Sequence, residues 1–322
     1  MATVAAPVAL DRRPTTKPRG LWSDTARSFA RNRVAMAGLL VVCLVLIIAV
    51  LAPWIAPYDY TEQQWEHISE GPSLAHPMGT DALGRDLFSR VLMGIRTAGI
   101  IAVMVTFATA AIGTLVGAFA ALVGRWVDRT VVWLMDMLFA FPDLWLAAFV
   151  TVVTRPTTAR LAAGIYEATG WQFMREPVVL DYLVVFGSLS LVWWAGIGRL
   201  VRGQALSLRA REFVEAAHAS GASPWWITRR HLVPNVLGEV IVAMSTGFGR
   251  VMLAEASLSF LGIGIRPPGA SLGEMISTGM ATWRAEPYQV AMPGLALAVI
   301  VTAFVLLGDG LNDALNPQTR GR

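Results

Sequence analysis

Residues 212–237 read EFVEAAHASGASPWWITRRHLVPNVL. On both sides the chain stays apolar for about 20 residues, long enough to cross a bilayer as a helix. Between those runs stand Glu212 and Glu215, then Arg229, Arg230 and His231. From Gln204 onward apolar residues recur at Leu206, Ala210, Phe213, Val214 and Ala217, which is helical spacing. Arg209, Arg211, Glu212 and Glu215 fall largely off that stripe. Gly221 stands where a left-handed residue would close the helix. Ser223-Pro224 reads as an N-cap followed by proline at the first helical position. A second short helix is predicted through WWITRRHL, and Pro234 is expected to redirect the chain. The result is a helix-turn-helix bracket set between two spans, with Trp225 and Trp226 suited to the headgroup level. The residues alone leave two readings open, a surface-lying amphipathic helix or a docking element for a soluble partner. A DNA-binding helix-turn-helix is excluded, because spans flank the segment closely.

The rest of the chain fits that setting. Of its 322 residues 55% are hydrophobic and only 15% charged, where soluble domains carry about a quarter charged residues. The apolar runs show no period-2 alternation, so helices rather than a barrel are predicted. Six spans follow, at 34–54, 97–123, 131–153, 179–197, 236–261 and 290–307. The first reads as an uncleaved span after a polar leader, 1–33. Pro53 and Pro57 end it. The connection 55–96 finishes in HPMGTDALGRDLFSRVLMGIR, which reads as a turn followed by a short amphipathic helix. Gly113 and Gly117 give the second span a small-xxx-small face for close packing. Pro142 is expected to kink the third. Residues 154–178 read as a polar loop with one short helix, decorative or in contact with an external partner. Residues 262–287 read as a Gly/Pro-rich connection with an interfacial helix. A five-helix core is thus expected over 97–309, with the bracket within 200–235 and a polar tail at 310–322.

Sidedness comes from the basic residues. Seven lie in the leader and six in 199–230, against three in 55–96, three in 154–178 and two in 262–287. The positive-inside rule puts the bracket and both termini on the cytoplasmic side. The same clustering between spans argues against nucleic acid as partner.

Catalytic signatures are absent. The chain has no phosphate loop and no H-E-x-x-H or G-x-S-x-G motif, so it reads as a non-catalytic chain that does not itself hydrolyse ATP. His67, His76, His218 and His231 fall in loops without metal-ligand spacing, and Cys43 reads as an apolar packing residue. Ionisable residues within spans carry more information. Arg250 lies about 24 Å along the fifth span from Pro234. It must face protein or water, as an ion pair with Glu255 or a partner chain, or as a path-lining cation that meets an anionic substrate group. Asp143, after Pro142, is expected to cap freed backbone groups. Arg250, Glu255 and Asp143 are the candidate path residues; Asp136 and Glu239 read as structural.

Glu215-Ala216-Ala217, three residues, Gly221 and then Pro234 resemble the cytoplasmic EAA loop of ABC importer permeases, with Val233 where leucine is usual. HPMGTDALGRDLFSR (76–90), FAFPDLWLA (139–147), LAEASLSFLGIGIRPP (253–268) and LLGDGLNDALNP (306–317) are similar to the dipeptide/oligopeptide/nickel permease family. The resemblance runs from about residue 30 to 317. It implies an all-α, six-span, type I importer-like fold in the plasma membrane of a prokaryote, and a second, homologous permease. It also implies two cytoplasmic ATPase subunits that hold ATP and magnesium, an external substrate-binding protein and a peptide or related small solute. Glu212, Glu215, Ala216, Ala217, Gly221 and Pro234 would then couple to an ATPase, with no cofactor in this chain. Arg250 departs from the small residue more usual there. Two other classes remain: an ion-coupled secondary transporter would need coupling-ion residues near the midplane on broken helices, at which only Pro142 and Arg250 hint, and a membrane scaffold or signalling anchor would not need Gly221 and the small alanines at those positions.

Overall fold

The structure, a computed structural model, describes Arg27 and residues 29–315; the remainder of the predicted leader and the end of the predicted tail lie outside the described residues. The described chain is all-helical, without strands. Helix α1 (Arg33–Ile55) begins at Asn32, whose side chain accepts hydrogen bonds from Val34 N and Ala35 N, both at 3.1 Å. It is followed by α2 (Leu87–Val123), α3 (Arg125–Phe139), α4 (Asp143–Thr169), α5 (Pro177–Arg209) and α6 (Glu212–Ala219). Helix α7 runs Pro224–Phe260, and α8 (Leu272–Gly279) and α9 (Tyr288–Leu315) complete the chain. Five of these helices are long and apolar enough to span a membrane, or six passes if α3 and α4 make one broken span.

The core forms where α2 packs along α5 and against α7, with α9 wedged between α1 and α7. Its centre holds Ile101, Val105, Val185, Leu189, Val251 and Phe304. A smaller apolar cluster, with Val201, Ala205, Val214, Ile227, Leu232 and Val236, lies under the bracket.

Several expected boundaries move. The amphipathic helix before residue 97 and the second span are one helix, α2. The third span is sharply broken: α3 and α4 meet at 96°. Proline disfavours helical geometry in the residue before it and supplies no N–H, and here the chain turns at Ala140–Pro142 rather than kinking gently. The 154–178 segment is mostly helix, not loop, since α4 continues through Pro156 to Thr169. The hydroxyls of Thr151, Thr154 and Thr158 bond back to the helix's own carbonyls, so polar residues ride a regular helix. The guanidinium of Arg155 pairs with Asp181 on α5 and donates to the Ile263 and Gly264 carbonyls, each at 3.0 Å. At the other end of α5 the helix stops at Arg209, so the expected continuous helix from Gln204 to Ser220 is two helices. Pro234 does not redirect the chain. A π-helical turn at Thr228–Leu232 precedes it, and Val233 N bonds to Thr228 O. The wider turn absorbs the ring and the missing donor, and α7 runs on through the proline.

Opposite the bracket, residues 76–90 fold into a buried polar cap. His76 Nδ1 lies 2.9 Å from Asp86, whose other oxygen accepts from Ser89 N at 2.7 Å and starts α2. Arg85 pairs with Asp81 at 2.7 Å. Arg90, with no exposed surface, reaches Glu274 of α8 at 2.8 Å and the Tyr60 carbonyl at 3.1 Å. The Gln289 amide of α9 donates to the Thr80 carbonyl at 3.3 Å. This motif therefore ties α2, α8 and α9 together.

Candidate functional site

The bracket is anchored by little and exposes much. In α6 only Val214 is fully buried, with Ala217 and Ala222 packed against the same cluster. Glu212, Glu215 and Ala216 are exposed. Both glutamates lie in the first turn, where the helix dipole favours negative charge. The helix closes as the sequence predicts. Ala222 N bonds to Ala217 O at 3.1 Å and Gly221 N to His218 O at 3.0 Å, with Gly221 at φ +79°. That is the two-bond left-handed cap that side-chain-bearing residues disfavour. A Cβ added at Gly221 would have nothing within 4 Å, so the space beside it is open. Ser223 Oγ accepts from Trp226 N at 3.3 Å and starts α7, also as predicted. His231 sits between the rings of Phe213 and Trp226, at 5.7 and 5.1 Å between centroids, and braces α6 against the π turn. Pro234 is exposed next to it.

Nearby arginines are partly committed. Arg202 grips Asp128 of α3 with two hydrogen bonds, one at 2.7 Å, and Arg199 meets Asp136 at 2.5 Å. Arg209 donates to the Ala121 carbonyl at 3.2 Å, at the end of α2. Asp136 is thus structural, as expected. Asp128 was not singled out by its position in the short basic turn 124–129. Its spacing of eight residues from Asp136, answered by Arg202 and Arg199 about one turn apart on α5, becomes meaningful only once the two helices are seen to pack.

The three candidate path residues part company. Arg250 and Asp143 both line one groove, about 320 Å³, between α2, the α3–α4 break, α5 and α7. Asp143 Oδ1 accepts from Leu144 N at 2.8 Å, capping a freed backbone group as expected. Glu255 does not pair with Arg250 and does not line the groove. It is wholly buried, and Oε1 accepts from Ser259 Oγ at 2.9 Å and Ser271 Oγ at 2.8 Å. Five residues along a helix turn a side chain roughly 140° away, which points the two residues apart. Glu255 instead pins the turn after α7 to the helix.

Comparison with known proteins agrees with this architecture. Residues 113–321 match the model of the binding-protein-dependent transport system inner membrane component. Residues 20–76 match the N-terminal TM domain of oligopeptide transport permease C. The chain is 37% identical over 317 residues to the glutathione transport system permease protein GsiD of Escherichia coli O6:H1, covering 97% of each chain. It is 37% identical over 316 residues to the protein of that name from Shigella boydii serotype 4, covering 97% of this chain and 96% of the relative.

Proposed function

The chain belongs to the inner-membrane components of binding-protein-dependent transport systems, multi-pass permease subunits of bacterial ABC importers, and from that premise we propose that it carries short peptides or peptide-like solutes inward. The relatives are named for glutathione transport, which favours a peptide-like cargo. In this reading the chain forms half of the path beside a second, homologous permease. An external binding protein delivers the solute, and two cytoplasmic ATPase subunits supply the work. The bracket end and both termini face the cytoplasm.

One observation carries the coupling role. Helix α6 is held by Val214 and closed at Gly221, yet it turns Glu212, Glu215 and Ala216 outward beside open space. A surface helix serving only its own chain would bury more of itself. A short acidic helix with small residues on a firm mount fits a groove on a basic partner. Ala216 permits close approach, the glutamates pair with cations of an ATPase, and Pro234 and the π turn transmit the displacement into α7.

The test is purification of the tagged chain from native membranes in mild detergent, with mass spectrometry and an ATPase assay. The expected result is recovery of a second permease and ATP-hydrolysing subunits. Gly221→Asp should leave the chain in the membrane at unchanged abundance while uptake and ATPase recovery fall. Normal uptake by that variant would overturn the coupling assignment.

A further inference from the structure

The groove that holds Arg250 contains more unsatisfied polarity than packing explains. Among the described residues Arg250 makes no hydrogen bond or ion pair, although it stands about 15 Å from the C-terminal end of α7, near the middle of a 30 Å apolar layer. A lone guanidinium at that depth is costly, and such residues face a water-filled cavity or a partner charge. Two neighbours lining the same groove share the condition. Thr106 is 2% exposed and its hydroxyl has no partner. The Trp193 indole N–H is buried and likewise unpaired. Buried polar groups are nearly always satisfied, and the two unmet here share their groove with the exposed, unpaired guanidinium of Arg250, so the three together point to a ligand that satisfies them. All three can donate to an anion. Asp143 stands in the same groove, with one carboxylate oxygen occupied by Leu144 N and not ion-paired to Arg250.

The groove also leads somewhere. Leu200 and Ala243 line both it and a second cavity of about 560 Å³ toward the bracket end, with Asn235, Glu239 and Asn312 at its walls. Along α7, Glu239, Ala243, Gly247 and Arg250 fall on one face over about 16 Å.

We propose that Arg250, Trp193 and Thr106 form a carboxylate-recognising station within the translocation path, and that Asp143 receives the ammonium of the same zwitterionic solute. The station rests on the importer reading. The solute pauses there, its carboxylate held by the guanidinium, the indole N–H and the hydroxyl, before moving along the α7 face toward Glu239. A groove of this volume takes a molecule of short-peptide size.

The experiment uses the whole complex in proteoliposomes, with its binding protein and ATPases. The probes are dialanine, trialanine and glutathione, together with the C-terminal amides and N-acetyl forms of the two alanine peptides. Wild type should take up a free acid about tenfold or more faster than its amide, the discrimination expected of charge-assisted hydrogen bonds. Arg250→Met should collapse that ratio toward one, with Arg250→Lys intermediate, while Asp143→Asn should collapse the preference for the free amine over the N-acetyl form. If Arg250→Met lowers both rates together and keeps the ratio, Arg250 is an ion pair to the partner permease and the station is refuted. If the complex assembles and hydrolyses ATP under control of its binding protein, yet takes up no free-acid peptide, the station is refuted while the importer reading stands. Failure of the chain to assemble with an ATPase would instead sink the importer reading.

Discussion

Arg90 shows how much of this fold is settled by single buried charges. Its guanidinium is fully buried and answered by Glu274 at 2.8 Å, the Tyr60 carbonyl at 3.1 Å and Asp81 at 3.6 Å. Removing one partner of such a pair strands the other without water, and costs about 3–5 kcal/mol. Glu274→Ala should therefore lower the melting temperature of the detergent-purified chain sharply. The double change Arg90→Met with Glu274→Met should recover most of the loss, because it strands no charge. A double variant as unstable as the single one would mean that shape, not charge, holds this joint. The residues of 76–90 were recognisable in the sequence as a signature, but nothing in their spacing says that Arg90 meets a residue 184 positions away. Arg250 is the converse. Its depth was legible from counting helical residues, whereas its freedom from Glu255 needed the direction of both side chains.

At the scale of elements, the sequence located helices well and their breaks poorly. Apolar runs mark only the part of a helix that meets lipid. Helices α2, α5 and α7 continue past those runs, and α4 runs on through polar residues whose threonine hydroxyls bond within the helix. Proline was equally ambiguous: Pro142 breaks its span by 96°, while Pro234 is absorbed by a π turn. Glycine spacing was the better guide. The predicted small-residue face of α2 meets α5 so closely that a Cβ at Gly117 would stand 2.3 Å from the Gly198 carbonyl oxygen. Gly117→Ala must push two backbones apart and should destabilise the chain by about 1–3 kcal/mol. Gly187→Ala on α5, with nothing within 4 Å, should be neutral or slightly stabilising, about 0.5–1 kcal/mol from helix propensity. Equal melting temperatures for the two variants would remove the close crossing. The α6 turn adds a sharper comparison. Asparagine tolerates the left-handed conformation and the space there is open, so Gly221→Asn should melt within about 1 kcal/mol of wild type. If coupling needs that space for a partner, uptake by this variant should still fall. Full uptake would mean that backbone conformation alone is required at residue 221.

The whole molecule is a bundle longer than the membrane it crosses. Helices α2 and α7 each have 37 residues and so run about 55 Å, against an apolar layer of about 30 Å. The excess must project on one side or both. At one end it carries the bracket, with Arg229 and Arg230 exposed beside α6; at the other it meets the folded cap of 76–90 and the α4 extension. In the proposed topology charge asymmetry is expected to keep the bracket end in the cytoplasm, because basic residues resist translocation while acidic ones matter little. That assignment can be tested on the intact importer. Cys43 is the single cysteine, so Cys43→Ser gives a silent background. On it, Ala168→Cys, exposed near the end of α4, should react with a membrane-impermeant maleimide in spheroplasts. Ser220→Cys, exposed beside the α6 turn, should react only in inside-out vesicles. The reversed pattern would place the bracket outside, beyond reach of any cytoplasmic ATPase, and would overturn the coupling role together with the sidedness. Labelling of both sites from the outside would mean that α5 does not complete a crossing, since it is the single pass that separates the two positions.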